Sequence, residues 1–245
     1  IMLNGLQSIN WQLLQEIDAP ARHNPLLDQV MIFGAQDVIF LLPLLLVLLW
    51  VGVVRWTVAA RATGGAAASA TARIRSLGLQ LLLLAVPAVL LAIILTLLAG
   101  ALVNEPRPFA SHPSLKPLIY HAADASFPSD HAAVAAAMVT MLMVYAALLL
   151  WQARPRGPQL DADQAASART LTGLLKLAVA VAVVGVLGVL FLGYARVYVG
   201  VHYPGDIAGG IIIGAISGLL VTWIRPLAAP ILTEFIATAE RLHLA

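Results

Sequence analysis

Apolar residues run through this chain in stretches too long and too uniform for an amphipathic helix or strand. The decapeptide LLPLLLVLLW (41–50) is apolar throughout, without the period of two or 3.6 that marks a surface element. A membrane β-barrel needs strict alternation over segments of about ten residues, so that architecture is excluded. Runs near the ~20 apolar residues that cross a ~30 Å hydrocarbon layer read as spans. Five are clear, at roughly 38–56, 77–103, 132–151, 171–194 and 207–224. All are expected to be helical, because in lipid every backbone N–H and C=O must find a partner inside its own segment. The predicted fold class is all-α, a polytopic membrane helical bundle.

The ends and connections carry weaker patterns. Residues 1–18 place Ile1, Leu6, Ile9, Leu13 and Ile17 near one helical face. That predicts an N-terminal interfacial amphipathic helix or a shortened sixth span. ARHNPLLDQV (21–30) reads as a turn and re-entry, and 57–76, with GGAAASA inside, as a flexible polar linker. Residues 153–169 read as a second exposed loop, and the tail beyond Arg225-Pro226 as another surface helix. No basic stretch followed by an apolar one opens the chain, so no cleavable signal peptide is expected. No internal repeat is visible, which argues against an inverted-repeat transporter. With spans distributed from end to end, 1–245 is expected to form a single domain.

Composition sharpens this picture. Apolar residues make up 61% of the 245 and charged residues 11%, with a mean hydropathy of +0.92. Soluble domains are about 45–50% apolar and about 25% charged, so neither a soluble globule nor a disordered chain fits. The pI near 9.2 comes with a net charge of only +2, and the basic residues are not clustered on one short element. Nucleic acid is therefore not expected as a partner. The absence of cysteine excludes disulfides, zinc–thiolate sites and cysteine nucleophiles.

The charges also orient the spans. Ten of the 14 basic residues (Arg55, Arg61, Arg73, Arg75, Arg154, Arg156, Arg169, Lys176, Arg225 and Arg241) fall on one side. Only Arg22, Arg107, Lys116 and Arg196 fall on the other. The positive-inside rule makes the first side cytoplasmic. The N-terminal segment and the loops at 104–130 and 195–206 then face outward, with eight of the 12 acidic residues.

Three polar clusters converge on that outer side: NEPRPF (104–109), SFPSDH (126–131) and ARVYVGVHYPGD (195–206). Pro128, Ser129 and Asp130 before a long apolar run are a helix-start signal. The free N–H groups of such a start, with the helix dipole behind them, favour an anion. Ser129 adds a hydroxyl, His131 an imidazole, and Arg107 and Arg196 planar forks suited to phosphate oxygens. His202 and Asp206 stand four residues apart, a spacing that lets the carboxylate bond the imidazole and aim its other nitrogen outward as a nucleophile or base. Singly, each residue has a plainer role: a snorkelling anchor for either arginine, an N-cap for Ser129, an aromatic belt for Tyr194. Gly210, Gly214 and Gly218 predict close helix packing. His23, His112 and His121 read as surface residues. Together the three clusters describe a phosphate pocket with acid–base capacity, since the reference pKa of histidine, ~6.5, suits acid–base work near neutral pH.

The three clusters resemble the tripartite signature of the type 2 phosphatidic acid phosphatase (PAP2) superfamily, metal-independent membrane phosphatases related to soluble vanadium haloperoxidases. The family pattern is K-x6-RP, PSGH and SR-x5-H-x3-D. Here it reads as Arg107-Pro108, then Pro128 to His131, then Arg196 through His202 to Asp206, within a signature region at 104–206. Gly100 stands at the position of the first-motif Lys, Asp130 at that of the usual Gly, and Ala195 at that of the usual Ser. PRPF, SFPSDH and RVYVGVHYPGD further resemble the bacterial undecaprenyl-diphosphate phosphatase branch of the bacitracin-resistance type.

That resemblance implies His202 as nucleophile forming a phosphohistidine, Asp206 orienting it, and His131 as acid to the leaving lipid phosphate and then base to water. It implies Arg107, Ser129 and Arg196 as phosphate ligands, with Pro108 and Asp130 in the same motifs. It also implies a lipid diphosphate substrate, no metal or other cofactor, and a bacterial inner membrane with the site facing the periplasm or outside. Glu105, beside the position of the lost lysine charge, is a further candidate, either paired to Arg107 or solvated, or a neutral acid near the phosphates. Alternatives are a phosphatidylglycerophosphate, lipid A or broad-specificity lipid phosphatase and a diphosphate phosphotransferase. Outside enzymes, the alternative is a lipid transporter or headgroup-binding scaffold.

Overall fold

The computed structural model describes residues 2–61, 65–152 and 162–241. Among these residues eight helices follow in order: α1 (Met2–Asp18), α2 (Pro25–Gln36), α3 (Val38–Arg61), α4 (Gly65–Val103), α5 (Pro108–Ser111), α6 (Asp130–Gln152), α7 (Ala162–Tyr198) and α8 (Pro204–Arg241). No strand occurs among the described residues, where one isolated bridge pairs Pro106 with Ala125.

Four stretches are long and apolar enough to span by themselves: Ser76–Val103, Asp130–Leu148, Leu175–Tyr198 and Pro204–Ile236. The predicted first span is less simple. Pro25–Gln36 and Val38–Leu49 meet the same criterion only as a pair, bent by 58° at their junction. The described residues thus give four spans, or five with the bent pair as one. The chain is a multi-pass membrane protein.

Four segments differ from expectation. The turn expected at 21–30 holds the start of α2: Asn24 caps it, accepting from the N–H groups of Leu26 (3.1 Å) and Leu27 (3.2 Å), with Pro25 at the first helical position. The linker expected at 57–76 is helical at both ends, and residues 62–64 within it lie outside the described set. Its alanines are the best helix formers, and that propensity outweighs the few glycines and serines. The tail is not a separate surface helix, because α8 continues unbroken to Arg241 through Pro226 and Pro230. Of the loop expected at 153–169, residues 153–161 lie outside the described set and 162–169 belong to α7.

The bundle centres on α6, whose span is 61% buried against 28–33% for the other three. The glycine stripe of α8 explains its close approach to α6. A Cβ at Gly210 would lie 2.4 Å from the Ser129 carbonyl oxygen, and one at Gly214 2.1 Å from that of Ala133. That contact fixes the start of α8, with Asp206, against the start of α6, with Ser129. From the N-terminal side, α1 caps α8: Asn10 Oδ1 accepts the Gly205 N–H at 2.9 Å. The packed face of α1 runs through Leu14 and Asp18, whereas Ile9 and Leu13, expected on that face, are exposed.

Candidate active site

Two buried arginines from distant segments converge on one imidazole nitrogen. Arg107, just before α5, and Arg196, in the last turn of α7, each place a guanidinium nitrogen 3.1 Å from Nε2 of His202. Both neighbours are donors, so Nε2 carries the lone pair and the ring proton resides on Nδ1. Nδ1 lies 3.2 Å from Oδ2 of Asp206, one helical turn on. That oxygen also accepts from Ser126 Oγ at 2.5 Å and from the Tyr203 N–H at 2.8 Å. The three donors fix the carboxylate, the carboxylate fixes the tautomer, and the tautomer leaves Nε2 facing the arginines.

His202 sits on the reversal between α7 and α8. Gly200 makes that turn with φ +79°, a left-handed conformation that an L side chain resists. A Cβ there would also lie 3.5 Å from the Pro117 Cα. His202 is wholly enclosed, and its pKa is held well below the ordinary imidazole value. Burial is the largest cause, followed by the positive charges of Arg196 and Arg107, with Asp130 partly offsetting them.

Each arginine is anchored through its backbone surroundings. Arg196 Nη1 donates to the Ala35 carbonyl at 3.2 Å. That carbonyl is in the last turn of α2, where helix carbonyls lack intrahelical partners and the dipole favours a cation. Gly34 and Ala195 make this possible: a Cβ at Gly34 would stand 2.8 Å from that of Ala195, so the small residue in place of the family serine lets α2 lie against α7. Arg107 donates through Nη1 to the Val201 carbonyl at 3.0 Å and through Nε to Asp124 at 2.7 Å. Asp124 is thus the carboxylate partner of Arg107, not Glu105. Partial burial raises the Asp124 pKa, but the bond and charge of Arg107 outweigh it and hold the group below its ordinary value.

The second cluster opens α6. Ser129 is buried, its N–H donating to the Asp206 carbonyl at 3.0 Å and its Oγ accepting from the Ala132 N–H at 3.4 Å. Asp130 accepts from the His131 N–H at 2.7 Å and lies 2.9 Å from His131 Nδ1. The aspartate in place of the family glycine therefore orients His131 and leaves its Nε2 for chemistry. These two capping acceptors also occupy N–H groups that the sequence reading left open for an anion. Pro108 is buried at the first position of α5, directly after Arg107.

Glu105 is half-buried on the Asp206 side of the site, and its carbonyl accepts the Ser126 N–H at 2.7 Å. Burial first, then the charge of Asp206, raises the pKa of its carboxyl. At the missing lysine, a Cβ on Gly100 would lie 3.4 Å from the Phe127 carbonyl and 3.7 Å from the Ala125 Cβ. The helix face that would carry the lysine packs on the segment that presents Ser126.

His121 is the residue the sequence reading misplaced. It is not an isolated surface group: its Nε2 lies 3.2 Å from Arg196 Nη2, and its ring stands edge-on to His202 with centroids 6.2 Å apart. His112 stacks on Trp11 at 3.6 Å, away from these bonds, and His23 remains exposed.

The protein-family model described as PAP2 superfamily matches residues 81–229. The bacitracin transport permease protein BcrC of Bacillus licheniformis is 34% identical over 142 residues, 58% of this chain. That match covers 54% of the relative, so the chain spans about half its length. The undecaprenyl-diphosphatase BcrC of Bacillus subtilis (strain 168) is 26% identical over 212 residues, 86% of this chain and 82% of the relative. Among solved structures, the fold is similar to that of a transmembrane PAP2 type phosphatidylglycerolphosphate phosphatase from Bacillus subtilis. The TM-score is 0.54 at 24% identity, covering 90% of this chain and 86% of the other.

Proposed function

The chain belongs to the PAP2 superfamily, and from that premise we propose that it is a lipid diphosphate phosphatase converting undecaprenyl diphosphate to undecaprenyl phosphate. The observation that carries this reading is the surplus of donors at His202. Arg196 is buried, its Nε has no partner, and among the described residues no carboxylate lies within 4 Å of its guanidinium. A buried cation bonded directly to a carbonyl and two neutral imidazoles, with Asp130 and Asp124 acting on it only from a distance, is costly unless an anion completes it. A phosphate dianion is such an anion, and the planar forks match its oxygens. The polyprenyl substrate rests on the name of the Bacillus subtilis BcrC relative and on the exposed apolar Leu102 and Val103 beside the first cluster. The outward orientation rests on the asymmetry of basic residues.

The mechanism follows from what each group offers. A terminal phosphate draws the arginine N–H groups from His202 Nε2 onto its own oxygens, which uncovers the lone pair. Nε2 then attacks the terminal phosphorus, a P–N bond forms, and the P–O bond to the lipid phosphate breaks. His131 gives the leaving oxygen its proton. Asp206 stabilises the imidazolium that develops on His202. Arg107, Arg196 and the Ser129 hydroxyl hold the equatorial oxygens where charge accumulates. His131, now unprotonated, takes a proton from water as that water attacks the phosphohistidine, releasing inorganic phosphate and restoring His202.

The test is phosphate release by purified protein in detergent, with EDTA present, from C55 diphosphate, phosphatidylglycerophosphate and phosphatidic acid. The expected result is highest kcat/KM on the C55 diphosphate. A higher value on phosphatidylglycerophosphate reassigns the substrate. No release from any lipid returns the protein to the transporter or scaffold class.

A further inference from the structure

We propose that His121, outside the three signature clusters, is a positioning residue for phosphoryl transfer: as a neutral hydrogen-bond acceptor it orients the Arg196 fork beside His202, where the phosphate oxygens take it over. This rests on the phosphatase reading above.

The geometry assigns the role atom by atom. Arg196 Nη2 has two protons and two acceptors, His202 Nε2 at 3.1 Å and His121 Nε2 at 3.2 Å. On the far side of the His121 ring, Nδ1 lies 3.2 Å from the Ala122 carbonyl, which can only accept, so the proton is on Nδ1 and Nε2 is the acceptor. His121 therefore sets the direction of the nitrogen that reaches the nucleophile. The other anchor of the fork is Nη1 on the Ala35 carbonyl. With Nε unpartnered, loss of His121 leaves the guanidinium with the Ala35 bond as its one anchor besides His202, the reacting group itself. The role needs the neutral ring: an imidazolium has no acceptor lone pair and would repel Arg196. The groups around the ring are Arg196 from α7, Arg107 from the segment before α5, His202 from the turn after α7, and Asp124 from its own loop, 3.9 Å from Nδ1. Burial, then the two arginine charges, keep the ring neutral against the opposing pull of the Ala122 bond and Asp124.

His121 lies on a loop with part of its side chain in solvent, so its replacement leaves the bundle intact. The experiment compares wild type, His121→Ala and His121→Gln in detergent on C55 diphosphate, with orthovanadate inhibition as a second readout. Glutamine retains an acceptor oxygen and does not titrate. The expected result is a loss of about tenfold or more in kcat/KM for the alanine variant, mostly in kcat, with an equally weakened vanadate inhibition. Glutamine should recover most of both, and its acid limb should lose one titrating group. Wild-type kinetics in His121→Ala overturn the proposal, as does a glutamine variant no better than alanine. Either outcome, with wild type active, leaves the phosphatase reading standing; a wild type that releases no phosphate from any lipid overturns that reading itself.

Discussion

Ser126 and Asp206, eighty residues apart, share a 2.5 Å hydrogen bond on the carboxylate oxygen that also receives the His202 ring proton. Ser126 is fully buried, and the other oxygen of Asp206 is buried without a partner. The serine thus fixes which oxygen faces the histidine. Ser126→Ala removes one of three donors to that oxygen and leaves the imidazole bond and the Tyr203 N–H in place. A loss of about three- to tenfold in kcat is expected, well short of the ~100-fold or greater loss expected for Asp206→Ala, with protein yield in the membrane unchanged. Equal losses in the two variants would show that Ser126 acts on something other than the carboxylate.

His202 should be dispensable for insertion and indispensable for turnover, because it sits on the turn at the rim and not among the spans. If purified His202→Ala keeps more than about a tenth of wild-type activity, a loss below ~1.4 kcal/mol at the transition state, the nucleophile is misassigned. The pH profile supplies a second check. Burial and the two arginines hold the His202 pKa well below the ordinary value, so the unprotonated nucleophile persists as pH falls through ~6.5. Log kcat/KM, corrected for the separately measured ionisation of the substrate phosphate, should therefore stay level between about pH 7 and 6 and fall only at lower pH. An acid limb at or above ~6.5 assigned to the free enzyme counts against a nucleophile in this environment.

Much of this was legible in the sequence, and the omissions share a cause. Arg107, Ser129, Arg196, His202 and Asp206 stand at span ends in patterns that local spacing interprets, and the bundle joins all five through direct bonds. His121 lacks such a pattern, because its partner Arg196 lies 75 residues away and its other contact is a backbone carbonyl. Ala35 and Val201 act through main-chain oxygens, which residue identity does not reveal. At 57–76 alanine propensity outweighs the glycines and serines that suggest a linker, and Asn24-Pro25, which suggests a turn, is a helix start.

His131 is held by Asp130 through Nδ1, which leaves Nε2 to protonate the departing lipid phosphate. A general acid matters most when the leaving group is a poor one. His131→Ala should therefore lower kcat on phosphatidic acid, whose leaving group is a poor alkoxide, at least about tenfold more than on an activated aryl phosphate such as p-nitrophenyl phosphate. Matching losses on the two substrates would remove His131 from the acid role.

Glu105 is the candidate that the signature leaves unexplained. Its neighbour is Asp206 and not Arg107, and burial together with that negative charge raises its pKa. In its neutral form the carboxyl is a donor, and it stands in the first cluster, which lacks the family lysine at Gly100. On the proposed reading it gives a hydrogen bond to a phosphate oxygen, supplying by a proton what the lysine supplies by charge. Glutamine keeps a donor and has nothing to ionise. Glu105→Gln should therefore retain several times the activity of Glu105→Ala, on the order of the factor of ten that one buried hydrogen bond supplies. The sign of the pH effect follows from the raised pKa: as pH rises through it, the wild-type carboxyl loses its proton, becomes repulsive to phosphate, and activity falls. Glu105→Gln should not share that fall. Superimposable pH–rate profiles for wild type and Glu105→Gln, with full activity in Glu105→Ala, would assign Glu105 to packing beside Ser126 and nothing more.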